Sequence, residues 1–167
     1  MMENGVRKMT DVVFRGKRAD GKGWAEGRAF VAICVGGKNI IFIVNHGERA
    51  NASIDENFNL TNIEVFGCKI NPETFGVGTG VEDKSGNEIF DGDIIRIAYT
   101  AHLFEGNTFI DHVALVEYCD GAFIASTNTG YDDRLIGELP TDVIEIIGNI
   151  HDNPELFRNP GQLEVDE

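Results

Sequence analysis

The residues whose types and spacing come nearest to chemistry lie between Gly80 and Ile97, in the stretch GVEDKSGNEIFDGDIIRI. Five carboxylates (Glu82, Asp83, Glu88, Asp91 and Asp93) and three glycines precede a short apolar run there. Calcium needs many oxygens in one tight ring, so an EF-hand loop places ligands at its first, third and fifth positions, glycine at the sixth and a bidentate Glu at the twelfth. Counting from Asp83, the third and fifth positions are Ser85 and Asn87, glycine falls at the fourth, and Ile94 stands at the twelfth. Counting from Asp91 puts Ile95 at the fifth and Arg96 at the sixth. The loop fails in both registers. Two turns in series fit instead: Asp83-Lys84-Ser85-Gly86-Asn87, then Phe90-Asp91-Gly92-Asp93 leading into a strand. Asp and Asn side chains suit such turns because they accept hydrogen bonds from backbone amides about two residues on.

The other constellations are weaker still. His46, His102, His112 and His151, with Asp111, are the candidate metal ligands, but only Asp111 and His112 are close, and neighbouring strand residues face opposite ways. Ser53, Ser85, Ser126 and the cysteines include no nucleophile elbow. Asp91 and Asp93 share a strand face by spacing, yet both belong to the turn. GVGTG, Gly76 to Gly80, lacks the lysine of a phosphate loop and the spacing of a dinucleotide site. The segment from Ser126 to Asp133, STNTGYDD, groups hydroxyls, an amide, a phenol and carboxylates, and is either a binding tip or a solvated loop. Trp24, among Gly21, Gly23 and Gly27, is an interface anchor or a core side chain. No residue is assigned as catalytic, cofactor-binding or metal-ligating, and no cofactor is expected.

The elements that carry these residues are strands. Twenty Gly with four Pro in 167 residues indicate many tight turns rather than a helical bundle. Val12 to Lys17 and Trp24 to Phe30 form a hairpin about Asp20-Gly21, and Ala29 to Val35 with Ile40 to Val44 form another. The continuous apolarity of that second hairpin implies cover on both faces, inside a barrel or against a second subunit. Asn45 to Asn62 reads as a mobile loop or inter-lobe connection. Ile63 to Ile70 is a strand, ended by Asn71-Pro72-Glu73-Thr74, where Asn caps and Pro starts a one-turn helix. Glu88 to Tyr99, Val113 to Tyr118, Phe123 to Thr127 and Val143 to Ile150 are further strands, with a hairpin turn at Cys119-Asp120-Gly121 and a short helix over Asn153 to Phe157. Residues 12–158 make one β domain, divisible into lobes 12–70 and 71–158 joined near 45–62, between a flexible start, 1–11, and a flexible tail, 159–167.

Charge and cysteine content narrow the function classes. The formal net charge is −14. Residues 1–28 hold seven Lys/Arg against four Asp/Glu, or +3, leaving seven against twenty-four, or −17, for the rest. A surface of this sign repels polyanions, so direct nucleic-acid binding is not expected. Cys34, Cys68 and Cys119 are odd in number and far apart, which suits buried or half-buried reduced thiols rather than a disulfide framework. With no apolar run approaching membrane-span length and no signal-like apolar segment, a bacterial cytoplasmic protein is expected.

FRGKRADGKGW, NPETFGVGTGVEDKSGNEIFDGDIIRI, VEYCDGAF and IEIIGNIHDNPEL occur in this order between about Val13 and Leu156. Together they resemble the YopX family of phage and prophage proteins, whose recurring pattern is T-G-L-x-D-x-x-G-x-x-I-(Y/F)-x-G-D-I-V followed late by E-V-I-G-N-I-x-(E/D)-N-P-E-L. Val81 stands where the family has Leu, and His102 to His112 and Asn45 to Asn62 look individual to this chain. The resemblance implies a mainly β, barrel-containing fold with hairpins and one-turn helices, and no reaction. The resulting expectation is a non-enzymatic phage or prophage accessory protein that works through protein contacts, as a homo-oligomer with a host or phage partner. Its alternatives are an acidic mimic of DNA charge that inhibits a host nucleic-acid-binding protein, a ligand-binding protein or enzyme with a pocket near 126–133 and His102 or His112, and a nucleic-acid-binding barrel using the basic N-terminal hairpin.

Overall fold

The computed structural model describes residues 12–44, 50–56, 60–103, 106–128 and 133–158. The expected flexible ends, 1–11 and 159–167, lie outside them. The chain divides into two compact units, residues 1–75 and 76–167.

In the first unit, β1 (Phe14–Lys17) pairs antiparallel with β2 (Trp24–Gly27). Alternation sorts their residues: Gly16, Ala25 and Gly27 are buried, while Arg15, Lys17 and Trp24 share the other face. The Arg15 guanidinium lies 4.8 Å and the Lys17 ammonium 5.8 Å from the Trp24 ring centre, so the indole carries two cations on a hairpin face rather than filling the core. Next, β3 (Ala29–Val35) pairs with β4 (Lys38–Val44), and β4 with β7 (Cys68–Ile70). Ile43 and Ile70 are buried with Ala25, and Phe14, Ile41, Cys68 and Phe75 pack around them.

Two readings of this unit change. Residues 50–56 and 60–65 are not an open connection: β5 (Ala50–Ile54) pairs with β6 (Leu60–Val65), with Ala50 opposite Val65, Ala52 opposite Ile63 and Ser53 opposite Asn62. The period-two pattern is present in the sequence, but small alanines carry its apolar half. Ile63 to Ile70 is two strands, because a Cβ on Gly67 would stand 2.6 Å from the Ile43 carbonyl oxygen and the chain turns there. Within the chain itself the β3–β4 hairpin leaves one face open, with Phe30, Ala32 and Cys34 exposed. Asn71 behaves as its sequence implies, accepting from the Glu73 amide at the start of a 3-10 turn, Pro72–Thr74. Buried Thr74 ties that turn to β1 by accepting from the Lys17 amide at 2.8 Å.

In the second unit, β8 (Gly76–Glu82) and β9 (Glu88–Phe90) form a hairpin. β10 (Asp93–Leu103), β11 (Gly106–Cys119), β12 (Ala122–Thr127), β13 (Arg134–Leu135) and β14 (Ile144–Asn149) make a five-stranded sheet, ordered β13-β12-β11-β10-β14. A short helix, α1 (Pro154–Arg158), follows. Asp120 and Gly121 both take positive φ, +50° and +88°, as an Asp-Gly hairpin turn requires. The core comprises Ile89, Ile95, Ile97, Ala114, Val116, Ala125, Ile136, Leu139 and Ile144, supplied by β9, β10, β11, β12, β14 and the segment after β13. The stretch from His102 to His112, individual to this chain, belongs to the long β10–β11 ladder.

The protein is mainly β, as expected. Within neither unit does the pairing of the described residues close a ring. Cys34 and Cys119 are exposed and only Cys68 is half-buried, because the two exposed thiols sit at hairpin ends beside the turns. Gly76 is buried where a Cβ would stand 2.8 Å from the Asp91 carbonyl oxygen, a backbone atom that cannot swing away. Gly76→Ala is therefore expected to lower the unfolding free energy by about 1–3 kcal/mol, seen as a lower urea midpoint with unchanged slope. An unchanged midpoint would contradict this packing.

Candidate functional site

The acidic stretch between β8 and β10 is the most polar convergence in the described residues, and each of its turns is built from a carboxylate. Asp83 is 5% exposed, and its Oδ1 accepts from the amides of Ser85 and Asn87, both at 2.9 Å, and from the Asn87 side chain at 3.2 Å. Its Oδ2 accepts from the Asn87 side chain and from the Ile146 amide in β14. Gly86 completes this turn at φ +81°, donating its amide to the Asp83 carbonyl at 2.9 Å. The turn is moored to β14 by the Lys84 amide on the Ile144 carbonyl and by a 2.7 Å ion pair from Lys84 Nζ to Glu145.

The second turn repeats the device. Asp93, 1% exposed, accepts from the Phe90 amide at 2.8 Å, and Asp91 accepts from the Tyr118 amide at 3.2 Å. Glu88 accepts from the Gly80 amide across the hairpin at 2.9 Å. Around Gly92 (φ +84°), backbone bonds join the turn to three other segments: Asp91 N to Val77 O, Gly92 N to Val116 O, and Ile150 N to Gly92 O. Four of the five carboxylates, all but exposed Glu82, thus accept backbone amides. Acceptors committed to amides on different segments do not present the shared ring of oxygens that a cation needs.

Burial alone pushes the Asp83 carboxyl up, but the Asn87 backbone and side chain, the Ser85 amide and the Ile146 amide outweigh it and hold the group below the ordinary carboxylate range. On the sheet, Arg96 grips Asp111 through two bonds of 2.8 and 2.6 Å, which lowers the Asp111 carboxyl and raises the guanidinium.

The remaining candidates do not converge. His102 Nδ1 lies 2.8 Å from Asn107 Oδ1, His112 is half-buried in β11, and His151 is exposed in a turn where its amide donates to Asn149. His46 lies outside the described residues, and among those described no three His, Cys, Asp or Glu gather as a metal site. Of the 126–133 segment, residues 129–132 are outside the described residues, and Asp133 accepts from the Thr127 amide at 2.9 Å. The GVGTG segment is a strand. Among the described residues, two concavities are candidates. In the first unit a cleft of about 400 Å³ is lined by Arg18, Ala19, Asp20, Gly67, Cys68 and Lys69, and Arg18 forks onto Asp20 within it. In the second unit a groove of about 270 Å³ is lined mainly by Val81, Phe123, Leu135 and Ile136. Sequence reading missed this groove, because its lining comes from separate strands and the 3-10 turn after β13.

The signature residues thus define a fold-stitching motif, a class of feature that marks a family more than a reaction. A model of the YopX protein family matches residues 26–158, and the chain belongs to that family. Two solved structures are similar to it. Protein yopX from Bacillus subtilis has 20% identity over 89% of this chain and 98% of its own, at a TM-score of 0.46. Protein EF1440 from Enterococcus faecalis has 19% identity over 87% and 96%, also at 0.46. No curated protein matches the chain.

Removing the Asp83 carboxylate leaves three part-buried amides without this acceptor, so Asp83→Ala is expected to lower stability by about 1–3 kcal/mol at neutral pH. Because the folded carboxyl lies below its unfolded value near 3.9, its contribution is full above about pH 4 and fades as pH falls through the folded value. The gap between wild type and Asp83→Ala in chemical denaturation should shrink below about pH 4; a gap independent of pH would contradict the assignment.

Proposed function

We propose that this chain is a non-enzymatic accessory protein of a phage or prophage, working in the bacterial cytoplasm through protein contacts and as a homo-oligomer. The observation that carries the reading is a set of large apolar side chains standing in solvent: Phe66, between β6 and β7, at 57%, and Phe109 and Tyr118, on β11, at 65% and 62% exposure. Aromatic side chains of this kind anchor protein interfaces, in which each buries a large area at low entropic cost. Support also comes from the carboxylates of the family signature, whose geometry is that of turn caps rather than of acid and base groups facing a substrate.

Charge favours one narrower version. Residues 76–167 hold four Lys/Arg against nineteen Asp/Glu, a net −15, whereas residues 1–75 hold ten against nine, a net +1. A field so strongly negative in one unit suits a basic partner, including a nucleic-acid-binding protein whose DNA-facing surface it would occupy.

Affinity capture from an infected or induced host, with light scattering on the purified protein, tests the proposal. The expected result is a mass of two or more chains and a retained protein partner that is released as salt rises; for the DNA-mimic version, added duplex DNA competes. A single-chain mass with nothing retained at low salt would overturn the reading.

A further inference from the structure

The groove on the second unit has a size, lining and setting that select one kind of occupant. Its floor includes Ile136, 3% exposed, and its walls include Val81 of β8, Phe123 of β12 and Leu135 of β13. Only Thr79 and Glu138 interrupt the apolar lining. At about 270 Å³ it falls below the roughly 300–1,000 Å³ of small-ligand sites, and holds one or two side chains rather than a whole ligand. The apolar surface continues past it, since Leu135 is 42% exposed and Tyr118, 62% exposed, packs edge-on against Phe123 with ring centres 5.1 Å apart.

The groove also lies beside a sheet edge. β13 ends the order of the five-stranded sheet, and it is only two residues long, pairing with β12 through Ile124 and Ala125 alone. An apolar slot beside a sheet edge takes one side chain of an extended peptide whose backbone lies along that edge, and with β13 so short the slot rather than the ladder supplies most of the hold.

Charge decides the flanks of that peptide. Exposed Asp120 sits in the turn joining Tyr118 to Phe123, and exposed Glu138 lines the groove. Of the unit's four cations, Lys84 is engaged with Glu145 and Arg96 with Asp111. Arg134 stands beside Leu135 on β13, against a unit net of −15. A second copy of this chain carries −14 overall and like charge throughout its own second unit, and an acidic or neutral segment would forgo the field. We infer that the groove lined by Val81, Phe123, Leu135 and Ile136 docks an extended segment of a partner protein in which an apolar anchor is flanked by Lys or Arg. This rests on the protein-contact reading above and names the site and chemistry of that contact.

Gly137 offers a clean test, because it lines the groove, has ordinary φ, and a Cβ built there meets nothing within 4 Å. Gly137→Leu fills the slot from its own wall, and Glu138→Lys, at an exposed position, reverses a rim charge. The probe is the synthetic peptide Lys-Lys-Leu-Trp-Leu-Lys-Lys, compared with one whose centre is three serines and one whose flanks are glutamates, each titrated into the isotope-labelled full chain. The lysine-flanked apolar peptide is expected to shift amides of Thr79, Val81, Phe123 and Leu135 to Glu138, and to bind about tenfold or more tighter than either control, with each variant losing a comparable factor. Equal binding by the serine-centred peptide, shifts elsewhere, no binding, or affinity unchanged in both variants would overturn the inference. Capture of the same host protein by wild type and Gly137→Leu alike would overturn the groove while leaving the protein-contact reading intact; capture by neither would remove that reading itself.

Discussion

The second unit is organised by hydrogen bonds from turn amides to short carboxylates. A tight turn leaves backbone N–H groups that no strand partner reaches, and a buried N–H without an acceptor costs about 1–3 kcal/mol. Asp83 meets two amides of its own turn, on Ser85 and Asn87, and a third on Ile146 of β14, far along the chain. Asp93 meets Phe90, and Asp91 meets Tyr118 on β11. Each carboxylate therefore closes its own turn or fastens it to a distant strand. The apolar members of the same stretch do the complementary work: Ile89, Ile94 and Ile95 are fully buried, so the segment alternates between capping its backbone and filling the core.

The late signature is built by the same rules. The Asn149 side chain accepts from the amides of His151 and Asp152, and its backbone carbonyl accepts from Asn153. Gly148 sits where a Cβ would stand 2.8 Å from the Asn153 side-chain oxygen and 2.9 Å from Leu156, which explains a glycine one residue before the turn into α1. Both signatures that place the chain in the YopX family thus describe how the second unit is folded. The acidic surface, the exposed aromatics and the groove beside β13, which takes Thr79 and Val81 from the first signature, are features that turn-building alone does not explain.

Legibility followed the range of the interaction. Turn chemistry acts over two to four residues, so the Asp83 and Asp91 turns, the Asp120-Gly121 hairpin and the Asn71 cap could all be read from the sequence. The β5–β6 hairpin could not, because Ala50 and Ala52 are weak strand formers and their partners Val65 and Ile63 lie beyond a polar stretch. Strand length was under-read in β10 and β11 for a related reason: Thr100, His102, Asn107 and Thr108 carry no apolar signal, and what aligns them is cross-strand pairing such as His102 with Asn107. The groove was illegible because its walls come from β8, β12, β13 and a 3-10 turn, brought together only by sheet order.

The central claim concerns what the Asp83 carboxylate is for, and a carbon-13 titration of that carboxyl group measures it directly. A carboxylate held by backbone amides should titrate below the ordinary value near 3.9, with the Ser85 and Asn87 amide protons moving at the same midpoint and no response to millimolar calcium or magnesium. A midpoint at or above 3.9, or a carboxyl signal displaced by either cation, would contradict the account.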